Sequence, residues 1–424
     1  VRARSQAWTN DQSLSTLNLS ANGIGAAGAE ALGIVLKASF SITSVDCSRN
    51  GALGDEGAKL LLPALCSDGT SVSCIRTLNL LRCGIGDVGA TALAQGLRGN
   101  SVLEQINLTG NSIGNEGVIA LADSLVGSSK GFLQDLWLSS NRVGPAGAEG
   151  VAAALAKSPS LRELHLSGNA LGDVGVTALV RGAVAGRRLR GLYVGGCGVS
   201  NAGAKDIANV LPNSLHLETL CLGHCAIGDD GASALARALA ENHALRRLLI
   251  PGNRLMTAGG KAIAGMLLSN GSLFCLDVSN NYLGPAGIEA MAKAIAKNTT
   301  LLELNVSGCG GTDAAFLALA KAVEANTTLG TLLYSGNHLN TTTLVEMDYA
   351  MGRPKRSVRE LVGQVQKSID QRDLRCRGEE LVQSNKLQGG AHPSVQLTAG
   401  QETSVQVSFG RKDNIVGSIT ASRL

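Results

Sequence analysis

Apolar and polar positions alternate along this chain in a pattern that returns at a nearly constant interval. The motif LxxLxLxxN recurs with its first apolar position at Leu14, Ile42, Ile75, Leu103, Leu133, Leu161, Leu189, Leu217, Leu245, Leu273, Leu301 and Leu329. Nine of the eleven intervals are 28 residues, and the other two are 33 and 30. Within each unit LxxLxL predicts a short strand with its Leu side chains on one face, because successive side chains in a strand point to opposite sides. A turn residue follows, usually Asn (Asn22, Asn50, Asn111, Asn141, Asn169, Asn253, Asn281, Asn337) and otherwise Cys (Cys83, Cys197, Cys225, Cys309). Buried there, Asn can hydrogen-bond the backbone of neighbouring turns, and Cys does so more weakly. Each unit closes with a segment such as IGDVGATALAQGL at 85–97, whose Ala and Leu at three- and four-residue spacing predict a helix with an apolar stripe. Asp87, Asn115, Asp173, Asn201 and Asp229 stand where these helices begin and are expected to satisfy orphan N–H groups. Pro145 and Pro285 fit the same first turn.

One βα unit cannot bury its apolar face alone, so the units must stack. Strands stack at roughly 4.8 Å and helices at about 8–10 Å, so the stack bends with strands inside and helices outside. The expected fold is α/β, a leucine-rich-repeat solenoid (horseshoe) of about twelve βα units with an inner parallel sheet and outer helices. The boundaries read as a flank at 1–13, the solenoid at 14–351, a helical cap at 352–390 and an extended tail at 391–424. In the cap, residues 354–370 place Val358, Leu361, Val362, Val365 and Ile369 on one helical face. In the tail, Val395, Leu397, Val405, Val407 and Phe409 alternate with polar residues, predicting a hairpin with its turn near Ala399–Glu402. The chain begins at Val1 and offers only Trp8 as an N-terminal cap, from which a truncated or processed start is expected.

The consensus NxTLxxLxLxxNxIGDxGAxALAxAL, visible in residues 298–309 and 217–239, resembles the ribonuclease-inhibitor-like class of leucine-rich repeats. That class includes ribonuclease inhibitor, the Ran GTPase-activating protein, the arrays of NOD-like receptors, and cytoskeletal and ciliary proteins. The resemblance covers roughly residues 14–345 and implies a shape, not a chemistry.

Composition agrees with a thin repetitive core: 44% hydrophobic residues but only 3% aromatic, with 54 Gly. The net charge is +4, and residues 341–424 hold 12 of the 37 basic and 9 of the 33 acidic groups. The repeat region is therefore close to neutral, and neither nucleic acid nor a membrane is expected as partner. No run of 18 apolar residues occurs.

Several motifs invite chemistry. GIGAAG at Gly23–Gly28 and GIGDVG at Gly84–Gly89 match a dinucleotide fingerprint, but the same core recurs in register in other units (Gly172/Gly175, Gly228/Gly231). A cofactor site is needed once, so these read as turns and no cofactor is expected. Cys221, His224 and Cys225 form the most metal-like cluster, yet strand alternation sends Cys221 into the groove and Cys225 into the turn, so no metal is expected. Cys66 and Cys74 flank the surplus residues of the second unit and could bridge, although free thiols in a reducing compartment fit better. Seven glycosylation sequons, at Asn18, Asn107, Asn270, Asn298, Asn305, Asn326 and Asn340, are better explained by the repeat consensus. His243 and His338 read as loop residues, and no catalytic constellation stands out, so a non-enzyme is expected.

Freedom of sequence is the remaining signal. The outward residue between the second and third Leu runs Asn18, Asp46, Asn79, Asn107, Trp137, His165, Tyr193, Cys221, Leu249, Asp277, Asn305, Leu333. One of only two Trp in the chain is thus placed facing solvent. Asp135, Glu163 and Arg247 lie on neighbouring outward positions, with Arg162, Arg190 and Arg246 at the edge. Aromatic anchors ringed by mixed charge are how protein-binding hot spots are composed. The candidate partner-binding residues are therefore Asp135, Trp137, Glu163, His165, Tyr193, Cys221, Arg247 and Leu249, with His165 as a pH-sensitive element. The alternative is that another part of the chain covers them.

The expected function is a non-catalytic protein–protein interaction scaffold binding a partner on its concave face, as a subunit of a large intracellular assembly into which the tail docks. The expected location is cytoplasmic, with cilium, cytoskeleton or an organelle as alternatives. The competing reading is a GTPase-activating protein resembling the Ran activator, with Arg49 or Arg82 as its exposed turn arginine. The tail departs from that family, being basic where the family is strongly acidic. An inhibitor of a basic enzyme would call for a strongly acidic groove, which this near-neutral array lacks.

Overall fold

The computed structural model describes residues 14–65, 74–126, 132–352, 410–411 and 414–415. The chain divides into two units, Val1–Val358 and Arg359–Leu424. In the first, twelve three-residue strands form one parallel sheet in strict chain order. They are β1 (Thr16–Asn18), β2 (Ser44–Asp46), β3 (Thr77–Asn79), β4 (Gln105–Asn107), β5 (Asp135–Trp137), β6 (Glu163–His165), β7 (Gly191–Tyr193), β8 (Thr219–Cys221), β9 (Arg247–Leu249), β10 (Cys275–Asp277), β11 (Glu303–Asn305) and β12 (Thr331–Leu333). A helical segment follows every strand, the last being Thr341–Gly352. Alternating βα units stacked this way make a leucine-rich-repeat solenoid.

Each strand begins where the sequence pattern puts it. The middle residue of each, Leu17, Val45, Leu78, Ile106, Leu136, Leu164, Leu192 and their successors, is buried, and its two neighbours face outward. A single continuous core runs between sheet and helices, filled by Leu, Ile, Val and Ala, with Phe316 as its largest buried side chain. In the second unit the helical part splits into Gly54–Leu60 and Leu62–Leu65, and the surplus that follows it lies outside the described residues.

Two ladders of Asn hold the turns together. Asn111 donates from Nδ2 to the carbonyls of Leu80 and Leu108 and accepts at Oδ1 from the amides of Cys83 and Ile85 in the preceding unit. Asn50 and Asn253 repeat this bridging between units. Where Cys replaces Asn the donor half survives: Cys83 Sγ donates to the Cys47 carbonyl at 3.1 Å and Cys197 Sγ to that of Leu166 at 3.2 Å. Burial pushes both thiols up to about 11, so they stay protonated. The second ladder lies in the loops entering the strands, where Asn242, Asn270, Asn298 and Asn326 are all buried. Asn270 donates to the Leu239 and Asn242 carbonyls and accepts from the amides of Ser272 and Leu273. Three of the sequons, at Asn270, Asn298 and Asn326, are therefore internal fasteners.

The acidic residues at the helix starts do something other than expected. Asp87 is the first residue of its helix, but it does not cap that helix: its Oδ1 accepts from the amides of Gly114 and Gly117 in the next unit, at 2.7 and 2.8 Å. Asp55, Asn115, Asn201 and Asp229 do the same one unit along. This corrects the expectation of local caps and explains the second Gly of the recurring IGxxG motif. A Cβ on Gly117 would sit 2.6 Å from Asp87 Oδ1, and one on Gly147 2.6 Å from Asn115 Oδ1. The glycines make room for a neighbour's carboxylate or amide.

Of the second unit, an antiparallel pair is described, β13 (Gly410–Arg411) with β14 (Asn414–Ile415). The helix expected at 354–370 and the alternating segment from Val395 to Phe409 lie outside the described residues, as do Trp8 and Cys66.

Candidate functional site

The site is built by the sheet register. Trp137, His165 and Tyr193 are paired residue for residue across β5, β6 and β7. Their rings stack: Trp137 on His165 with centroids 4.1 Å apart and planes at 20°, and His165 on Tyr193 at 4.1 Å and 7°. Trp137 remains 41% exposed, while His165 and Tyr193 are half-buried by their neighbours in the stack. Cys221 and Leu249 continue the row across β8 and β9, both half-buried, and Arg247 is exposed. Strand alternation thus places all eight predicted residues on the open side of the sheet.

A second row runs beside the rings, made of the first residue of each strand. Gln105 Nε2 donates to Asp135 Oδ2 at 2.6 Å. Next comes Glu163, and then Gly191, the one Gly at this position in twelve strands. A Cβ there would fall inside the carboxyl group of Glu163, which lies across the gap that Gly191 leaves. Tyr193 hydrogen-bonds that carboxyl group from the next strand, and Thr219 hydrogen-bonds Tyr193 in turn. Glu163 Oε2 is buried without a hydrogen-bond partner. Gly191, Gln105 and Thr219 were missed by sequence reasoning, although the lone Gly among outward positions is readable there.

The electrostatics follow from this crowding. Burial and the neighbouring Asp135 carboxylate push Glu163 up to about 7, against the Tyr193 hydrogen bond and Arg247, which favour ionisation. Asp135 is also raised by burial, held back by Gln105 and Arg162. Burial and the Glu163 carboxylate push Tyr193 up to about 12. His165 moves the other way: burial between two rings lowers it to about 4. The expectation of a pH-sensitive histidine is therefore corrected. His165 is neutral near pH 7 and serves as an aromatic plate, and the group that titrates near neutrality is Glu163. Burial also raises the Cys221 thiol, which suits an apolar contact better than a metal ligand.

The residues before β3, β4 and β6 to β9 are charged and line one edge of the sheet. Arg76 pairs with Glu104, and Arg190 with Glu218. Arg246 donates to the Ser272 carbonyl at 3.0 Å and lies 4.8 Å over the Phe274 ring. Near the start of the array, Arg49 and Arg82 are exposed on turns in the left-handed region, at φ 59° and 53°. Among the described residues no helix is long and apolar enough to cross a membrane.

A family model described as leucine-rich repeat matches residues 10–33, 73–94, 99–122, 157–180, 213–236 and 297–315. These matches cover about a third of the chain and agree with the leucine-rich-repeat solenoid that the twelve-stranded sheet builds. No curated protein sequence matches it. Among solved structures it is similar to leiomodin-1 actin-binding site 2, at 24% identity and TM-score 0.28 over 34% of this chain and 81% of that one. It is also similar to a chain in the octameric complex of Latrophilin 3 (Lec, Olf), Unc5D (Ig, Ig2, TSP1) and FLRT2 (LRR), at 16% identity and TM-score 0.40, over 79% of this chain and 91% of that one.

Proposed function

We propose that this chain is a non-catalytic interaction scaffold of the ribonuclease-inhibitor-like type, holding a protein partner against the open side of its sheet. Its setting in this reading is intracellular and cytoplasmic, as a subunit of a larger assembly. The observation that carries the proposal is the Trp137–His165–Tyr193 stack, which keeps a large aromatic surface rigid and partly exposed on a sheet face with no other aromatic at the equivalent positions. Preformed rings lose little conformational entropy on binding, and aromatic anchors with charged neighbours dominate protein interfaces. Asp135, Glu163 and Arg247 would set orientation around that anchor, and Cys221 and Leu249 would extend its apolar floor.

The test is affinity capture from native cell extract on the immobilised chain, with Trp137→Ala/Tyr193→Ala as comparison. The double variant should lose the captured proteins while its thermal unfolding stays within a few degrees of the parent, since Trp137 lies outside the core. An unchanged set of captured proteins would remove the stack from the binding site. A second reading, a GTPase activator resembling the Ran activator, draws on the exposed turn arginines Arg49 and Arg82. Stimulated GTP hydrolysis, lost in Arg49→Ala, would put that reading in place of the first.

A further inference from the structure

The charged edge at the strand starts is uneven. Before β6, β7, β8 and β9 stand Arg162, Arg190, Glu218 and Arg246, tied in sequence by backbone hydrogen bonds of 2.7 Å from Arg190 to Arg162, Glu218 to Arg190 and Arg246 to Glu218. Strand stacking sets such residues about 5 Å apart. The loop entering β7 adds Arg187 and Arg188, both exposed, and Arg162 and Arg247 are exposed as well. Arg187 closes the preceding helix in the left-handed conformation, at φ 59°, with its amide bonded to the Ala183 carbonyl, so the loop is fixed where it turns outward. His216, in the equivalent loop of the next unit, is lowered first by burial and then by Arg190, Arg187 and Arg188, an independent sign that these cations converge on one place. Among the acidic groups here, Glu218 is already engaged by Arg190.

We propose that this strand-start edge, centred on the exposed Arg162, Arg187 and Arg188, is a docking surface for an acidic peptide segment of a protein partner. Guanidinium forks match carboxylates in a planar, two-bond geometry. A nucleic-acid strand fits less well, because the repeat region is close to neutral overall, whereas a nucleic-acid surface carries a strong basic excess. The edge is separate from the ring stack, and the proposal stands whether or not the stack binds anything.

The experiment is fluorescence anisotropy of a labelled oligoglutamate peptide with the full chain. The parent should bind with an affinity that falls steeply as salt is added, because exposed charges are screened within a Debye length. Arg162→Glu/Arg188→Glu should weaken binding about tenfold or more. Trp137→Ala/Tyr193→Ala should leave it unchanged, which separates this surface from the proposed partner site. Thermal unfolding of the charge-reversed variant is measured alongside, so that lost binding is assigned only to a folded protein. If that variant is unfolded, the salt dependence of the parent, compared with a lysine-rich peptide of equal length, decides instead. Absent or salt-insensitive binding, equal binding by a folded charge-reversed variant, or tighter binding of an oligouridylate lost in the same variant would overturn the proposal.

Discussion

Glu163 sits in a place that a side chain on the next strand would fill. Gly191 leaves the space, Tyr193 bonds the carboxyl group, and burial with Asp135 nearby raises its pKa to about 7. A carboxyl group whose folded pKa lies above its unfolded value of 4.5 favours folding in its protonated form. Its contribution is complete below about pH 4.5 and is lost as pH rises through about 7. His165 acts in the opposite sense, because its folded value of about 4 lies below 6.5, so its contribution is present above pH 6.5 and lost as pH falls through about 4. The two windows overlap, so the parent alone does not separate them. Glu163→Gln keeps the shape and removes the titration. Its melting temperature relative to the parent should rise steadily between pH 5 and 8, and a difference independent of pH would mean that Glu163 ionises as an ordinary carboxylate. The aromatic row itself was legible from alternation, since a Trp between two Leu of a strand must face away from them. The ring contacts and the interplay of Glu163 with Gly191 were not, because they depend on rotamers and on a neighbour in another unit.

At the scale of elements, the distinctive feature is that each unit completes the hydrogen bonding of another. The Asn ladders reach back one unit, and the Asp and Asn at the helix starts reach forward one. Sequence located these residues correctly and predicted the twelve strands from the interval alone, because spacing records which positions are buried. It assigned the Asp side chains to their own helices, since a single unit gives no view of its neighbour. The distinction is measurable. Asp87→Ala should cost about 1–2 kcal/mol, the value of a lost helix cap. By hydrogen exchange the loss of protection should appear at the start of Asn115–Val126, where the Gly114 and Gly117 amides lose their acceptor, and not at the start of Asp87–Arg98. Asp87→Asn should restore most of it, as Asn115 and Asn201 already fill this role. Loosening confined to Asp87–Arg98 would return the residue to local capping.

Across the whole solenoid, contacts run almost entirely between successive units, so stability is approximately a sum of unit and interface contributions. A central unit has two interfaces and an end unit has one. Leu192, fully buried in β7, is braced by β6 and β8, whereas Leu17 in β1 is 7% exposed and, among the described residues, has β2 alone as its strand partner. Leu192→Ala should therefore cost about 2–5 kcal/mol, the range for emptying a close-packed site, and should lower protection on both sides of β7. Leu17→Ala should fray the first unit and leave the exchange of β6 to β9 unaltered. The seam most exposed to the central change is the one at Cys197 and Cys225, two successive turns where Asn is replaced and the ladder keeps only a thiol donor, at 3.2 Å in the first and 4.0 Å in the second. That seam lies in the units that carry Tyr193 and Cys221, so loosening it should also blunt partner capture, although Leu192 is buried away from the open face. Exchange measured by mass spectrometry on the two variants decides the matter. Equal loosening of every unit by either substitution would show a single cooperative block, and the picture of stability passed from neighbour to neighbour would have to be abandoned.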